Sequence, residues 1–220
     1  MIDSVSKLEH NQAHGETGKV LIISQPDTPG YSSLPGTVEE AKAILKYTSI
    51  NNAYHLTHDT ATTEAVMDKM KKYNCIHFAC HGIQDLQDPL DSAFALYDQK
   101  LRLKALMGLS LQNAQLAFLS ACETATGDQE LPEEAVHLAA GMLAVGYPSV
   151  IATLWSIGDK EAPFIADKFY ARLMDHDDDS GGNKAKMSPA YALHEAIKSL
   201  KEEVGEMNFV KWVPFVHLGV

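Results

Sequence analysis

A chain of 220 residues with 45% apolar side chains is long enough to bury a sizeable core, which excludes disorder over its whole length. Eighteen basic against twenty-nine acidic side chains leave a net charge of −11, so binding to a phosphate backbone would work against the global field and no nucleic-acid partner is expected. No stretch approaches the roughly 18 uninterrupted apolar residues of a membrane span, and the three cysteines, Cys75, Cys80 and Cys122, are an odd number and too few for a disulfide framework. The expectation is a cytoplasmic protein with free thiols and no membrane partner.

Residues 1–18 carry no periodicity and read as a flexible arm; order is expected from Lys19, where Lys19 to Ser24 is a buried-strand run. Gln25 to Gly36 holds three prolines and reads as a loop, after which Thr37 is expected to cap a helix through Lys46. A strand at Ala53 to Leu56 and a helix at Thr63 to Tyr73 follow, with Val66, Met70 and Tyr73 on one helical face. Cys75 to Ala79 is the next strand, with Cys75, His77 and Ala79 on one side and Ile76, Phe78 and Cys80 on the other. Ser92 to Tyr97 and Leu101 to Leu103 form an expected hairpin, and Leu116 to Ser120 another buried strand. Beyond Pro132 come a helix over Glu133 to Val145, a strand over Ser149 to Leu154, and a helix capped by Asp159 that runs to Met174.

The run Asp175 to Lys186 has no apolar side chain larger than alanine, so a mobile surface loop is expected at about 175–187. Ser188 and Pro189 open a last helix to about Val204, and Trp212 to Val220 closes the chain as a strand. The loop therefore interrupts one domain, 19–220. Alternating strands and helices argue an α/β fold with a mainly parallel sheet flanked by helices on both faces.

Ligands of such sheets bind beyond the carboxyl ends of the strands. Two segments there stand out: Ala79-Cys80-His81-Gly82, and Ser120-Ala121-Cys122-Glu123-Thr124. Neighbouring strands lie about 4.8 Å apart, which lets His81 and Cys122 face one another as a dyad. An imidazole can take the thiol proton, and the thiolate can then attack an amide carbonyl. The N–H groups of Gly82 and Cys122 are the candidates for an oxyanion hole. A zinc site from Cys80, His81, Cys122 and His77 fits poorly, because adjacent Cys and His lack the gap that brings both to one ion, so neither metal nor other cofactor is expected.

Four segments carry a resemblance: His77 to Gly82, Leu119 to Thr124, Ala140 to Trp155, and Trp212 to Gly219. In order and spacing the chain from about Lys19 resembles the CHAT family, caspase-like cysteine peptidases related to separase. The resemblance implies a caspase-like fold, His81 as general acid and base, and Cys122 as the nucleophile that forms a thioester. It also implies that Asp159, following Leu154-Trp155, lines the pocket for an Arg or Lys preceding the cut. The chain has two arginines, Arg102 and Arg172, neither in a strand-end motif, which disfavours recognition of an aspartate there. A protein or peptide substrate is the implied partner, with a tetratricopeptide-repeat region elsewhere as an implied regulator; no 34-residue period occurs here. Two readings stay open: an active endopeptidase, and a latent or non-catalytic signalling or scaffold domain regulated by a partner.

Overall fold

The computed structural model describes residues 18–85, 87–120, 135–175 and 187–220. The arm up to residue 17, the segment with Cys122, the start expected for the helix after Pro132, and most of the Asp-rich run lie outside the described residues.

The apolar run Val20–Ser24 is strand β1, buried along its whole length. Its side chains alternate: Val20 and Ile22 enter one core, Leu21 and Ile23 the other. Each of these contributes about 1.5–3 kcal/mol by leaving water. Gly36–Leu45 is α1, Ala53–Thr57 is β2, Thr63–Met70 is α2 and Cys75–Ala79 is β3. Then come β4 (Gly82–Ile83), β5 (Ala93–Ala95), β6 (Lys100–Arg102) and the single turn α3 (Leu103–Leu106). Leu116–Leu119 is β7, Ala135–Val145 is α4, Ser149–Thr153 is β8 and Glu161–Leu173 is α5. Pro189–Val204 is α6, Phe209–Trp212 is the single turn α7, and Phe215–Gly219 is β9.

The main sheet runs β2-β1-β3-β7-β8-β9; the first five strands are parallel and β9 is antiparallel to β8. From β1 the chain moves to β2 on one side, then crosses β1 to reach β3 on the other. Helices α1, α5 and α6 cover one face, while α2, α3, α4 and the small sheet β4-β5-β6 cover the opposite face. Crossovers in opposite directions thus use opposite faces, as right-handed connections require. The loops after β1 and β3 diverge at this reversal and leave a crevice between them.

Three local expectations are corrected. Thr37 is not the cap of α1: its hydroxyl donates to the carbonyl of Leu34 at 2.8 Å, and Pro35 occupies the cap position without a side-chain bond. Asp159 is not the cap of α5, which starts at Glu161 with Lys160 before it and no side-chain capping bond. The last strand begins at Phe215, because Trp212 belongs to a helical turn. The hairpin β5-β6 forms as expected and gains β4, which pairs Gly82 with Phe94.

A buried polar contact links β3 to α1 and α5. His77 on β3 lies 2.9 Å through Nε2 from Glu40 Oε1 and 3.2 Å through Nδ1 from the Tyr170 hydroxyl. All three residues are buried, and the His77 ring stacks on Phe118. A carboxylate only accepts, so Nε2–H donates to Glu40. Burial, then the neighbouring Cys75 and Glu40, raise the Tyr170 pKa far above its ordinary value, so that hydroxyl stays protonated and can donate to Nδ1. His77→Phe leaves a buried carboxylate and should cost about 3 kcal/mol or more, and Glu40→Leu about 2 kcal/mol. The double variant should cost clearly less than the sum in urea unfolding; strict additivity would mean the two groups do not interact.

Two further histidines make the fold acid-sensitive. His55 Nε2 lies 2.6 Å from Ser24 Oγ, and His217 Nε2 lies 2.8 Å from Ser149 Oγ. Burial lowers both pKa values, helped in His55 by the nearby His58. The unfolded chain binds these protons more readily, so their contribution is complete above about pH 6.5 and is lost as the pH falls through the lowered folded values. The variant H55Q/H217Q should therefore show a flatter fall in Tm than the parent between about pH 7 and pH 5.

Candidate active site

The loop after β1 is fastened at both ends. Gln25 N–H donates to Ala79 O at 2.9 Å, which carries the β1-β3 pairing one step past the strand ends. The buried Gln25 amide donates to His58 O at 3.0 Å. Pro26 O accepts from Leu34 N–H at 2.7 Å and from Ser33 Oγ at 3.1 Å, which closes the loop on itself. Within it Tyr31 N–H donates to Thr28 O at 3.0 Å, and Gly30 adopts φ +86°, a left-handed conformation that a side chain would strain. Tyr31 and Ser32 are thereby carried across the crevice to the start of the loop after β3.

His81 is 1% exposed there. Its Nε2 lies 2.8 Å from the carbonyl oxygen of Ser32, and its ring stacks on Tyr31 with centroids 5.0 Å apart and planes at 27°. A carbonyl can only accept, so Nε2 carries the proton of that bond. Asp85, Asp88 and Asp91 follow His81 in sequence, but each serves its own loop. Asp85 accepts from the N–H groups of Gln87 and Asp88, which lowers its pKa. Asp88 accepts from Leu90 N–H, and Asp91 lies 3.8 Å from Arg102.

Gly82 starts β4. Ala95 N–H donates to His81 O at 2.8 Å. In an antiparallel ladder that bond makes Gly82 and Phe94 a non-hydrogen-bonded pair, so Gly82 directs its N–H away from β5. On β3 and just past its end, Ile76, Phe78 and Cys80 enter one core and Cys75 the other, while His77 faces Glu40. His77 and Cys80 therefore stand on opposite sides of the strand and do not converge on one ion. Cys122 and its N–H lie outside the described residues. Phe78 on β3 is paired with Leu119 on β7, and His81 and Cys122 each follow three positions later in the sequence.

Asp159 is exposed in the turn between β8 and α5. It packs against the first residue of α1: a Cβ built on Gly36 would come within 2.9 Å of Asp159 O and 3.1 Å of its Oδ1. The absence of a side chain at Gly36 is what admits this approach. Glu161, two residues on, is buried and receives Lys211 Nζ at 2.7 Å. Trp155 Nε1 donates to Val210 O at 2.9 Å, so α7 is tied to the same connection at two points.

Of the residues expected to form the site, His81 and Gly82 are together at the strand ends and Asp159 stands at the N-terminus of α1. Sequence reasoning missed Tyr31 and Ser32. The signal was Pro29-Gly30 in the loop after β1, a turn that lifts the next residues to the surface at the crevice.

The family model described as CHAT domain matches residues 2–220. None of the curated proteins matches the sequence. Among solved structures, the Arg specific cysteine proteinase gingipain R superposes with a TM-score of 0.63 at 13% identity, over 92% of this chain and 46% of that one. A complex of Porphyromonas gingivalis RgpB pro- and mature domains gives 0.61 at 14% identity, covering 92% and 47%. The Saccharomyces cerevisiae separase in its complex with securin gives 0.60 at 15% identity, covering 93% and 12%. This chain thus spans under half of the gingipain chains and about an eighth of the separase chain, and at these identities the likeness is one of fold. A mainly parallel sheet with helices on both faces, a histidine just past β3 and a family match over nearly the whole sequence lead to one assignment: the chain belongs to the CHAT domain family and has a caspase-like fold.

Proposed function

We propose that this chain is a cysteine endopeptidase in which Cys122 is the nucleophile and His81 the general acid and base. The observation that carries the reading is the pinned imidazole: Nε2–H is held by Ser32 O at 2.8 Å, which assigns the acid-base role to the other ring nitrogen, Nδ1. The register supports the pairing, because β3 and β7 are adjacent, parallel and aligned at Phe78 and Leu119.

In this reading Nδ1 takes the proton of Cys122, and the sulfur attacks the carbonyl carbon of the scissile peptide. The oxyanion is received by the N–H groups of Gly82 and Cys122. His81 returns the proton to the leaving nitrogen, the C–N bond breaks and a thioester remains. Water, deprotonated at Nδ1, then displaces the sulfur, and the proton goes back to the thiol. No cofactor enters the balance.

Asp159 is the acid proposed to receive an Arg or Lys side chain before the cut. Its neighbour Glu161 is neutralised by Lys211, whereas among the described residues no cation pairs with Asp159. Gingipain R, of similar fold, is an Arg specific proteinase, in keeping with an acidic pocket. The partner is a protein substrate located in the cytoplasm, and the separase solved with securin supports protein partners for such folds. A repeat region outside this chain remains the proposed regulator.

Labelling by peptide acyloxymethyl ketones ending in Arg, Lys, Leu or Asp, read by intact mass, tests the dyad. Labelling should be confined to Cys122, vanish in Cys122→Ala, fall at least about a hundredfold in His81→Ala, and change little in Cys80→Ala. A folded wild type that takes no label would favour the latent or scaffold reading instead. Asp159→Asn should lower kcat/KM for Arg and Lys sites by about tenfold or more while sparing Leu sites, as expected for a lost charge-assisted bond. Equal loss on all sites would remove Asp159 from the pocket.

A further inference from the structure

We propose that Lys211 is a positioning residue for the turn that carries Asp159, acting through Glu161 and Gly158. Its meaning for specificity rests on the reading of Asp159 as the acid that receives a basic side chain; the linkage itself is a chain of contacts between described residues. A carboxylate that meets a guanidinium or an ammonium at hydrogen-bond distance has to be placed to within a fraction of an ångström. Asp159 is exposed, so its own side chain is not packed into place, and its position is set by what holds the turn.

On one side the turn packs on Gly36 of α1. On the other it is tied to α7 and the residues just after it. Leu154 N–H donates to Pro214 O at 2.9 Å and the Trp155 indole to Val210 O at 2.9 Å, which fastens the beginning of the turn. Its end is fastened by a side chain, because Lys211 Nζ donates to Glu161 Oε1 at 2.7 Å. The other oxygen of that carboxylate lies over Gly158, where a side chain would collide with it. Gly158 does not have a left-handed φ, so the backbone there does not require glycine; the carboxylate fills the space that glycine leaves. Gly158 O in turn accepts from the N–H groups of Glu161 and Ala162 at 3.1 and 3.3 Å. Lys211 thus sets the carboxylate, the carboxylate seats Gly158, and Asp159 is the next residue. Without the ammonium, the buried Glu161 carboxylate loses the cation that matches it and swings toward water, away from Gly158. Ser156 and Ile157 have contacts of their own, so the loosening falls on the far end of the turn, beside Asp159.

The full chain is compared as wild type, Lys211→Met, Lys211→Arg, Gly158→Ala and the double variant Lys211→Met/Gly158→Ala. Methionine keeps the length of the side chain without its charge, arginine keeps the charge, and alanine at position 158 pushes the carboxylate off Lys211 from the other end. Amide hydrogen exchange at Glu161 and Ala162, whose acceptor is Gly158 O, reads the turn without any need for turnover. The Trp155 indole resonance reports that α7 is still docked. Inactivation by acyloxymethyl ketones ending in Arg or Leu reads the pocket. Lys211→Met and Gly158→Ala should each speed exchange and lower the preference for Arg over Leu by about threefold to tenfold, through weaker affinity, with the indole resonance unmoved. Lys211→Arg should match wild type, and the double variant should show no more than the larger single effect, since both changes break one link. Wild-type exchange in Lys211→Met would overturn the proposal, as would a Lys211→Arg variant that behaves like Lys211→Met, or equal loss on Arg and Leu ketones. An Asp159→Asn variant that keeps the Arg preference, or a wild type that takes no label, would instead remove the basic pocket or the peptidase reading, and the exchange rates then decide the role of Lys211 alone.

Discussion

The buried contact of Glu40 with His77, itself bonded to Tyr170, governs where α1 sits. It joins three elements: Glu40 comes from α1, His77 from the central strand β3 and Tyr170 from α5. Apolar packing of Ala41 and Ile44 against the sheet allows α1 a range of slides and rotations, because hydrophobic contact has no direction. A hydrogen bond between two fully buried groups selects one of them, since any shift leaves a carboxylate or an imidazole unpartnered in a low dielectric. Its value lies in specificity of placement more than in net stabilisation.

That placement passes directly to the site. The loop holding Tyr31 and Ser32 ends at Pro35, the position preceding α1, and Asp159 packs on Gly36, the first residue of the helix. The two ends of the candidate cleft, the imidazole and the acid, are thus referred to one helix terminus. The reversal of strand order between β1 and β3 opens the crevice, and α1 sets how its wall is positioned. A backbone carbonyl in the orienting role has one consequence for electrostatics: it fixes the tautomer of His81 without adding a full negative charge beside it.

Much of this was legible in the sequence because strands buried on both faces read as continuous apolar runs. Val20 to Ser24, Cys75 to Ala79 and Ser149 to Thr153 were found within a residue of their ends. The side assignment on β3 also held, since it follows from a period of two. The helix starts were misread for a common reason. Thr37 and Asp159 are residue types that cap helices, yet a cap needs an extended backbone at that position. Thr37 lies inside the first turn and uses its hydroxyl as a donor, while Lys160 precedes α5 in a helical conformation. Residue type reports what a side chain can do and leaves open what its φ and ψ permit. Tyr31 and Ser32 were harder to read for a different reason: the role of Ser32 belongs to its carbonyl, which every residue possesses, so the Pro29-Gly30 turn marks the loop and not the residue.

The pair of acids after β8 carries the argument one step further. Asp159 and Glu161 are two positions apart, and a sequence-level reading gives each the same charge and the same claim on a basic ligand. The fold separates them. Glu161 is buried and receives Lys211 from α7, so its charge is matched inside the protein; Asp159 stays in the solvent-facing turn, held by backbone packing on Gly36. An exposed carboxylate is hydrated and screened, so it contributes little until a ligand displaces that water. A charge kept in this state and located by its backbone is suited to meet a cationic side chain as it becomes desolvated.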